Sequence, residues 1–143
     1  MQAATYWKSY RQIATQTAPP GQLVLMLFDG ALNSMERAMT GFDLTDPKQK
    51  NEAIHNNLQK AVDIIRVLNG SLNLAEGGKL AQTLRGLYNY FDQRIVESNL
   101  RKKREGITEV MTHMTELRNA WEKMLAKRGQ EQEMEPDGAL RAA

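Results

Sequence analysis

The stretch from Gly77 to Asn99 carries the strongest apolar pattern in the chain. Its large apolar side chains recur at steps of three and four residues, which is the spacing of one face of an α-helix. They are Leu80, Leu84, Leu87, Tyr88, Phe91 and Ile95. Such a face needs other amphipathic helices to cover it, because each large side chain left in water costs roughly 1.5–3 kcal/mol. The pattern therefore predicts a helical bundle.

Three other segments have the same periodicity. The first runs from about Pro20 to Met39. The second opens at Asp46, Pro47 and Gln49, which have the order of a helix cap, a first-turn proline and a capping-box partner. Its seam alternates steps of four and three, as in packed bundles: Ile54, Leu58, Ala61, Ile65, Leu68 and Leu72. The last helix carries Ile107, Val110, Met114, Leu117, Trp121 and Leu125.

The breaks between these segments are short. Residues 73–78 separate the second and third helices, and the basic run Arg101 to Arg104 separates the third from the last. Connections of this length place consecutive helices antiparallel. We therefore predict an all-α fold, an antiparallel up-down four-helix bundle at residues 20–128. An N-terminal arm at residues 1–19 precedes it, and a flexible C-terminal tail at residues 129–143 follows.

The composition excludes several classes of function. The 143 residues suit one domain, and the absence of cysteine excludes a disulfide framework and a thiolate metal site. The net charge of +2 gives no strong field toward nucleic acid. The longest apolar run, Leu23 to Phe28, is far shorter than the ~20 residues of a membrane span, and no signal-peptide pattern opens the chain. We expect a soluble protein without nucleic-acid binding or membrane insertion.

Glu52 and His55 match one Glu-x-x-His pair of a di-iron bundle. A site of that type needs a second pair, and Glu109 and His113 are four residues apart, so they do not supply it. We predict that both histidines lie in solvent or at the edge of an apolar stripe. We expect no catalytic residue, no metal, no cofactor and no enzymatic activity.

Several apolar side chains lie off the predicted core faces. If they gather into grooves between helices, they form a surface that accepts a partner helix. A wider buried arc on each helix is the equally weighted alternative. The candidates on the helices are Leu25, Met26, Ile64, Val67, Tyr90 and Val96. The run Arg101 to Arg104 has two readings as well, a contact for phosphate or acidic protein and a solvated loop.

Short motifs in a fixed order add a resemblance to a known family. They are Gln22-Leu23-Val24, Met26-Leu27-Phe28-Asp29-Gly30-Ala31, Leu87-Tyr88-Asn89-Tyr90, Ser98-Asn99-Leu100 and Ala120-Trp121. Together they resemble the flagellar export chaperone family FliS over about residues 10–125. The resemblance implies an antiparallel helical bundle that is not an enzyme. The basic run and the last residues of the chain depart from the family pattern.

The resemblance also implies a binding partner and a cellular location. Members of this family bind the disordered C-terminal segment of flagellin in the cytosol, prevent its premature polymerisation and bring it to the export gate of the flagellar secretion apparatus. Their N-terminal arm can occupy part of the client surface, so Tyr10 and Ile13 are candidates for a displaceable plug. The alternative is a self-associating helical module with a different client, and a homodimer is compatible with the pattern.

Overall fold

A computed structural model of the chain describes residues 20–130. Every secondary-structure element in this part is an α-helix, and short turns join the helices. In chain order, α1 spans Pro20–Gly41, α2 Pro47–Gly70, α3 Leu74–Arg101 and α4 Glu105–Gln130. The prediction of an all-α fold is confirmed. The arm with Tyr10 and Ile13 lies outside the described residues, as does the tail beyond Gln130.

The four helices pack in a ring around one apolar core. Helix α1 packs against α2 and α4, and α3 packs against the same two helices. The largest fully buried apolar side chains come from all four helices. They are Met35, Ile54, Leu58, Ile64, Ile65, Tyr88, Phe91, Ile95, Ile107, Val110 and Met114. This arrangement confirms the predicted four-helix bundle.

Two side chains that the sequence pattern places off the core faces belong to the core. Leu25 and Ile64 are buried, and Ile64 has no accessible surface. Their placement off the core faces is therefore wrong. The physical reason is that a helix in a closed ring packs against two neighbours, so it buries a wider arc than one apolar stripe. At these two positions the alternative interpretation, a wider buried arc on each helix, is correct.

The start of α2 forms as its sequence predicts. Asp46 has an extended backbone, and its Oδ2 accepts a hydrogen bond from the backbone N–H of Gln49 at 2.9 Å. Pro47 occupies the first turn, where its missing N–H has no helical partner to lose. The Asp46 side chain thus satisfies one of the free N–H groups at the helix end.

The predicted break before α3 consists of a cap and a bend. Asn73 Oδ1 accepts a hydrogen bond from Glu76 N at 3.1 Å, and Gly77 N donates to Asn73 O at 2.7 Å. The chain then bends at Gly78, whose φ of +57° and ψ of −135° are not helical. Leu80, predicted to be in the core, is exposed, while Ala81 is buried. The helix restarts after the bend, so Ala81 is its first side chain in the core.

The two histidines lie at the surface of the bundle. His55 and His113 are both exposed, which confirms their predicted positions. His55 Nδ1 lies 2.9 Å from Asn99 Nδ2 on the neighbouring helix. Within residues 20–130, no three His, Cys, Asp or Glu side chains are grouped to hold a metal ion. In the same residues, no helix is both long and apolar enough to cross a bilayer.

Candidate functional site

The seam between α2 and α3 is closed by polar side chains along its length. Arg66 holds Asp92 with two hydrogen bonds of 2.8 and 3.2 Å. Asn69 Nδ2 donates to Asn89 Oδ1 at 2.8 Å, and Arg85 Nε donates to Asn69 Oδ1 at 3.0 Å. An apolar partner docking here would have to break these bonds, and buried polar groups left without partners are costly. This seam is a poor surface for an apolar client.

Polar side chains join α3 to α4 near the turn that connects the two helices. Arg94 Nε donates to Glu109 Oε1 at 2.7 Å, and Tyr90 Oη donates to Glu109 Oε2 at 2.5 Å. We call these three side chains the Glu109 clamp. Next to it, the His113 ring stacks on buried Phe91, with ring centroids 6.4 Å apart and an interplanar angle of 11°.

Beyond the clamp, the same seam is apolar. Leu87 and Leu80 precede Arg94 by seven and fourteen residues, so they lie on the side of α3 that faces α4. Leu117 and Met124 follow His113 on the side of α4 that faces α3. The contact of Arg94 with Glu109 sets the alignment of the two antiparallel helices. Continued along the helices, this alignment brings Leu87 opposite Leu117 and Leu80 opposite Met124. We call this surface the α3–α4 cleft; it consists of Leu80, Leu87, Leu117 and Met124.

The α3–α4 cleft is accessible. Leu80 is exposed, and the other three side chains are half-buried against the core. In the described part of the chain, no side-chain hydrogen bond or ion pair joins residues 74–89 of α3 to residues 114–127 of α4. Apolar side chains that a partner can cover without breaking polar contacts are typical of a helix-in-groove site. The cleft is therefore our candidate client site.

A second groove lies on the opposite side of α4, against α1. It has a volume of about 1190 Å³ and contains Met39 and Met111 together with several threonines. Two ion pairs bound it, Arg118 Nε to Asp29 Oδ1 at 2.7 Å and Arg104 Nη2 to Asp43 Oδ1 at 2.8 Å. Its lining also includes asparagine, glutamate and arginine side chains.

The remaining predicted partner residues do not form one patch. Gly41 is in close contact with Ala53, since a Cβ at Gly41 would lie 3.0 Å from the Ala53 Cβ. Continuing this antiparallel register places Met26 level with Val67 along the α1–α2 seam, where both are half-buried. Tyr90 and Val96 are exposed on α3. Tyr90 belongs to the Glu109 clamp.

Sequence reasoning missed most of the α3–α4 cleft as a site. The sequence pattern assigns Leu80, Leu87 and Leu117 to core stripes, and it does not select Met124 as a partner residue. Their spacing of seven residues puts each pair on one side of its helix, and that signal is present in the sequence. Whether these side chains stay accessible depends on how the two helices pack against each other. The pattern of one helix does not contain that information.

The basic turn supports the bundle with two of its four side chains. The Arg104 guanidinium pairs with Asp43 and lies 5.0 Å from the centroid of the Phe42 ring. Lys102 Nζ donates to Asn99 O at 2.8 Å, and burial lowers the pKa of this ammonium group. Lys102 has a left-handed backbone, and its N–H donates to Ser98 O to close α3. Arg101 and Lys103 are exposed.

The Glu109 clamp should make stability depend on pH. Hydrogen bonds from Arg94 and then Tyr90 lower the pKa of Glu109 below its ordinary value of 4.5. The ionised carboxylate therefore contributes stability above that value, and the contribution is lost as the pH falls through the folded pKa. We expect Glu109→Gln to be less stable than wild type at pH 7, with the difference shrinking toward pH 3.

Urea unfolding at both pH values measures this difference. Glu52→Gln is the matched control, because Glu52 is exposed on α2 and makes no hydrogen bond across helices in the described part of the chain. Its difference from wild type should stay near zero at both values. A Glu109→Gln deficit that is equally large at pH 3 and pH 7 would contradict the clamp.

Comparison with known proteins identifies the family. The family model described as "Flagellar protein FliS" matches residues 2–128. The chain belongs to the FliS family. The resemblance drawn from the sequence motifs is thereby confirmed, and the match extends through the arm and all four helices.

Curated FliS relatives cover most of the chain. The protein of Salmonella typhimurium (strain LT2) is 35% identical over 132 residues, covering 89% of this chain and 95% of its own length. That of Bacillus subtilis (strain 168) is 33% identical over 119 residues, with 83% and 85% covered. That of Escherichia coli (strain K12) is 35% identical over 130 residues, with 87% and 93% covered. All three are named "Flagellar secretion chaperone FliS".

Proposed function

We propose that this chain is a cytosolic export chaperone for flagellin. It binds the disordered C-terminal segment of flagellin, prevents premature polymerisation and helps deliver the client to the export gate of the flagellar secretion apparatus. Membership of the FliS family supports the chaperone class. The observation that carries the client proposal is the α3–α4 cleft, an accessible apolar surface beyond the Glu109 clamp.

The energetics suit a client that is disordered before it binds. A segment that folds on binding loses conformational entropy, and burial of apolar surface has to offset that loss. The α3–α4 cleft offers four large apolar side chains in line along two helices. A short amphipathic helix from the client would cover them with side chains at positions i, i+3, i+4 and i+7. Met26 and Val67 are a candidate second contact on the α1–α2 seam.

The N-terminal arm is a candidate regulator of this binding. Tyr10 and Ile13 are proposed to cover client surface in the free protein and to leave when flagellin arrives. A plug of this kind lowers the apparent affinity by the fraction of closed molecules. Removing the arm would therefore tighten client binding without changing any contact in the complex.

The test is calorimetric titration of the protein with the C-terminal segment of flagellin from the same organism. We expect one-to-one binding with a negative heat-capacity change, the mark of apolar burial. A variant lacking residues 1–18 should bind more tightly. Equal affinity of the two forms would refute the plug and leave the proposed chaperone function intact.

Two controls complete the titration. A flagellin fragment without the C-terminal segment should give no heat of binding. The mass in solution, measured by light scattering across a range of protein concentrations, separates a client chaperone from a self-associating module. Failure of both forms to bind the segment, together with a concentration-dependent mass, would refute the proposed function in favour of self-association.

A further inference from the structure

Helix α3 contains a bend that only glycine adopts without strain. At Gly78 the φ of +57° and ψ of −135° lie in a region that residues with a Cβ rarely occupy. The helix resumes immediately, so residues 74–77 form a single turn set at an angle to the rest of α3. We call the residues from Leu74 to Gly78 the elbow.

The sequence pattern runs straight through this bend. Leu74 precedes Ala81, Tyr88 and Ile95 at intervals of seven residues, and those three side chains are all in the core. In a continuous helix, residues seven apart lie on the same face within about 20°. Leu74 would therefore point toward the core if Gly78 were helical. The heptad spacing of Leu74 is therefore compatible with a straight α3.

The bend changes which apolar groups are exposed. Leu74 and Leu80 are 39% and 41% exposed, and they stand on either side of Gly78. Leu80 is also the end of the α3–α4 cleft. The bent form therefore exposes both leucines, whereas a straight helix would direct Leu74 toward the core. Exposed apolar side chains are unfavourable in water, and a partner that covers them favours the bent state.

We propose that the elbow is a conformational switch for client binding: α3 exchanges between a straight and a bent form at Gly78, and the client binds the bent form. This inference rests on the proposed function and adds a regulatory element to the same cleft. A client with higher affinity for the bent form shifts the population toward it, and the affinity measured is lowered by the straight fraction.

Two substitutions at adjacent positions bias the switch in opposite directions. Gly78→Ala disfavours the bent backbone, because alanine adopts the observed φ and ψ only with strain, although its Cβ would contact nothing within 4 Å. Lys79→Pro disfavours the straight helix, since proline lacks the N–H that would bond to Ala75 O. Proline suits the bent form, where Lys79 is in the first turn after the bend.

Calorimetric titration with the C-terminal flagellin segment gives the first readout. We expect Gly78→Ala to weaken binding about tenfold or more, and Lys79→Pro to retain wild-type affinity or exceed it. A bend with a merely structural role would weaken binding in both variants. Equal affinities of wild type and both variants, or a tenfold loss in folded Lys79→Pro, would overturn the switch.

Amide hydrogen exchange of Leu80 gives a second readout that needs no client. In the straight form this N–H bonds to Glu76 O and is protected, whereas the bend separates the two groups. Leu80 should exchange more slowly in Gly78→Ala than in wild type, and as fast as wild type or faster in Lys79→Pro. Unchanged exchange in both variants would overturn the proposal. If wild type fails to bind flagellin, the proposed function fails separately, and this exchange measurement still tests the switch.

Discussion

Replacing Leu80 with aspartate should weaken binding of the flagellin C-terminal segment about 100-fold, equivalent to about 2.7 kcal/mol. Leu80 is 41% exposed at the end of the α3–α4 cleft, so the client would cover it on binding. The substitution removes apolar burial and places a carboxylate where an apolar client leaves it without a partner. Titration calorimetry measures the loss.

Leu100→Asp is the matched control for this substitution. Leu100 is in the same helix and is 82% exposed, but it lies near the turn and outside the cleft. It should bind flagellin like wild type, and both variants should melt within a few degrees of wild type because neither leucine is buried. If Leu80→Asp and Leu100→Asp bound the client with equal affinity, the α3–α4 cleft would not be the client site.

Gly106→Ala should destabilise the bundle by about 1–3 kcal/mol, the usual cost of overpacking a tight contact. A Cβ at Gly106 would overlap the Ser98 Oγ and lie 3.2 Å from Arg94 Cγ. Ser98 is buried, and its hydroxyl donates to Arg94 O at 2.8 Å, so it has little room to move. The close approach of α3 and α4 at their shared turn depends on this pair.

A double-mutant cycle identifies the contact. Adding Ser98→Ala removes the overlapping oxygen, so the double variant should recover part of the stability that Gly106→Ala loses. Gly86→Ala is the control, because Gly86 is exposed on α3 and a Cβ there meets nothing within 4 Å. It should be neutral or stabilising. Additive losses in the double variant would refute a clash with Ser98. Thermal or urea unfolding of wild type, Gly106→Ala, Ser98→Ala, the double variant and Gly86→Ala measures the stabilities.

The fold was predictable because its determinants are local. The apolar steps of three and four depend only on residues within one helix, and so does the cap at Asp46 with Pro47. The structure contains these features. The prediction failed where two helices meet. A single helix pattern does not reveal that Leu25 and Ile64 each face a second neighbour and are buried. It also places Leu80 in the core, whereas Leu80 lies on the α4-facing edge of the stripe and is exposed.

The candidate site was less predictable for the same reason. Tyr90 was chosen as an apolar contact, yet its hydroxyl is held by Glu109 from the next helix. That pairing, and the contact of Arg94 with the same carboxylate, depend on the relative register of α3 and α4. The α3–α4 cleft combines side chains from both helices, so the pattern of one helix alone does not reveal it.

The position of the Glu109 clamp also bears on how the proposed complex would come apart. The clamp ties α3 to α4 near their shared turn through the hydrogen bonds of Glu109 with Arg94 and Tyr90. The α3–α4 cleft lies toward the other end of the two helices. A client lifted from one end of the cleft would lose its contacts one after another, while the hydrogen bonds of the clamp stayed in place. Release of a client from the proposed site would therefore not require the bundle to unfold.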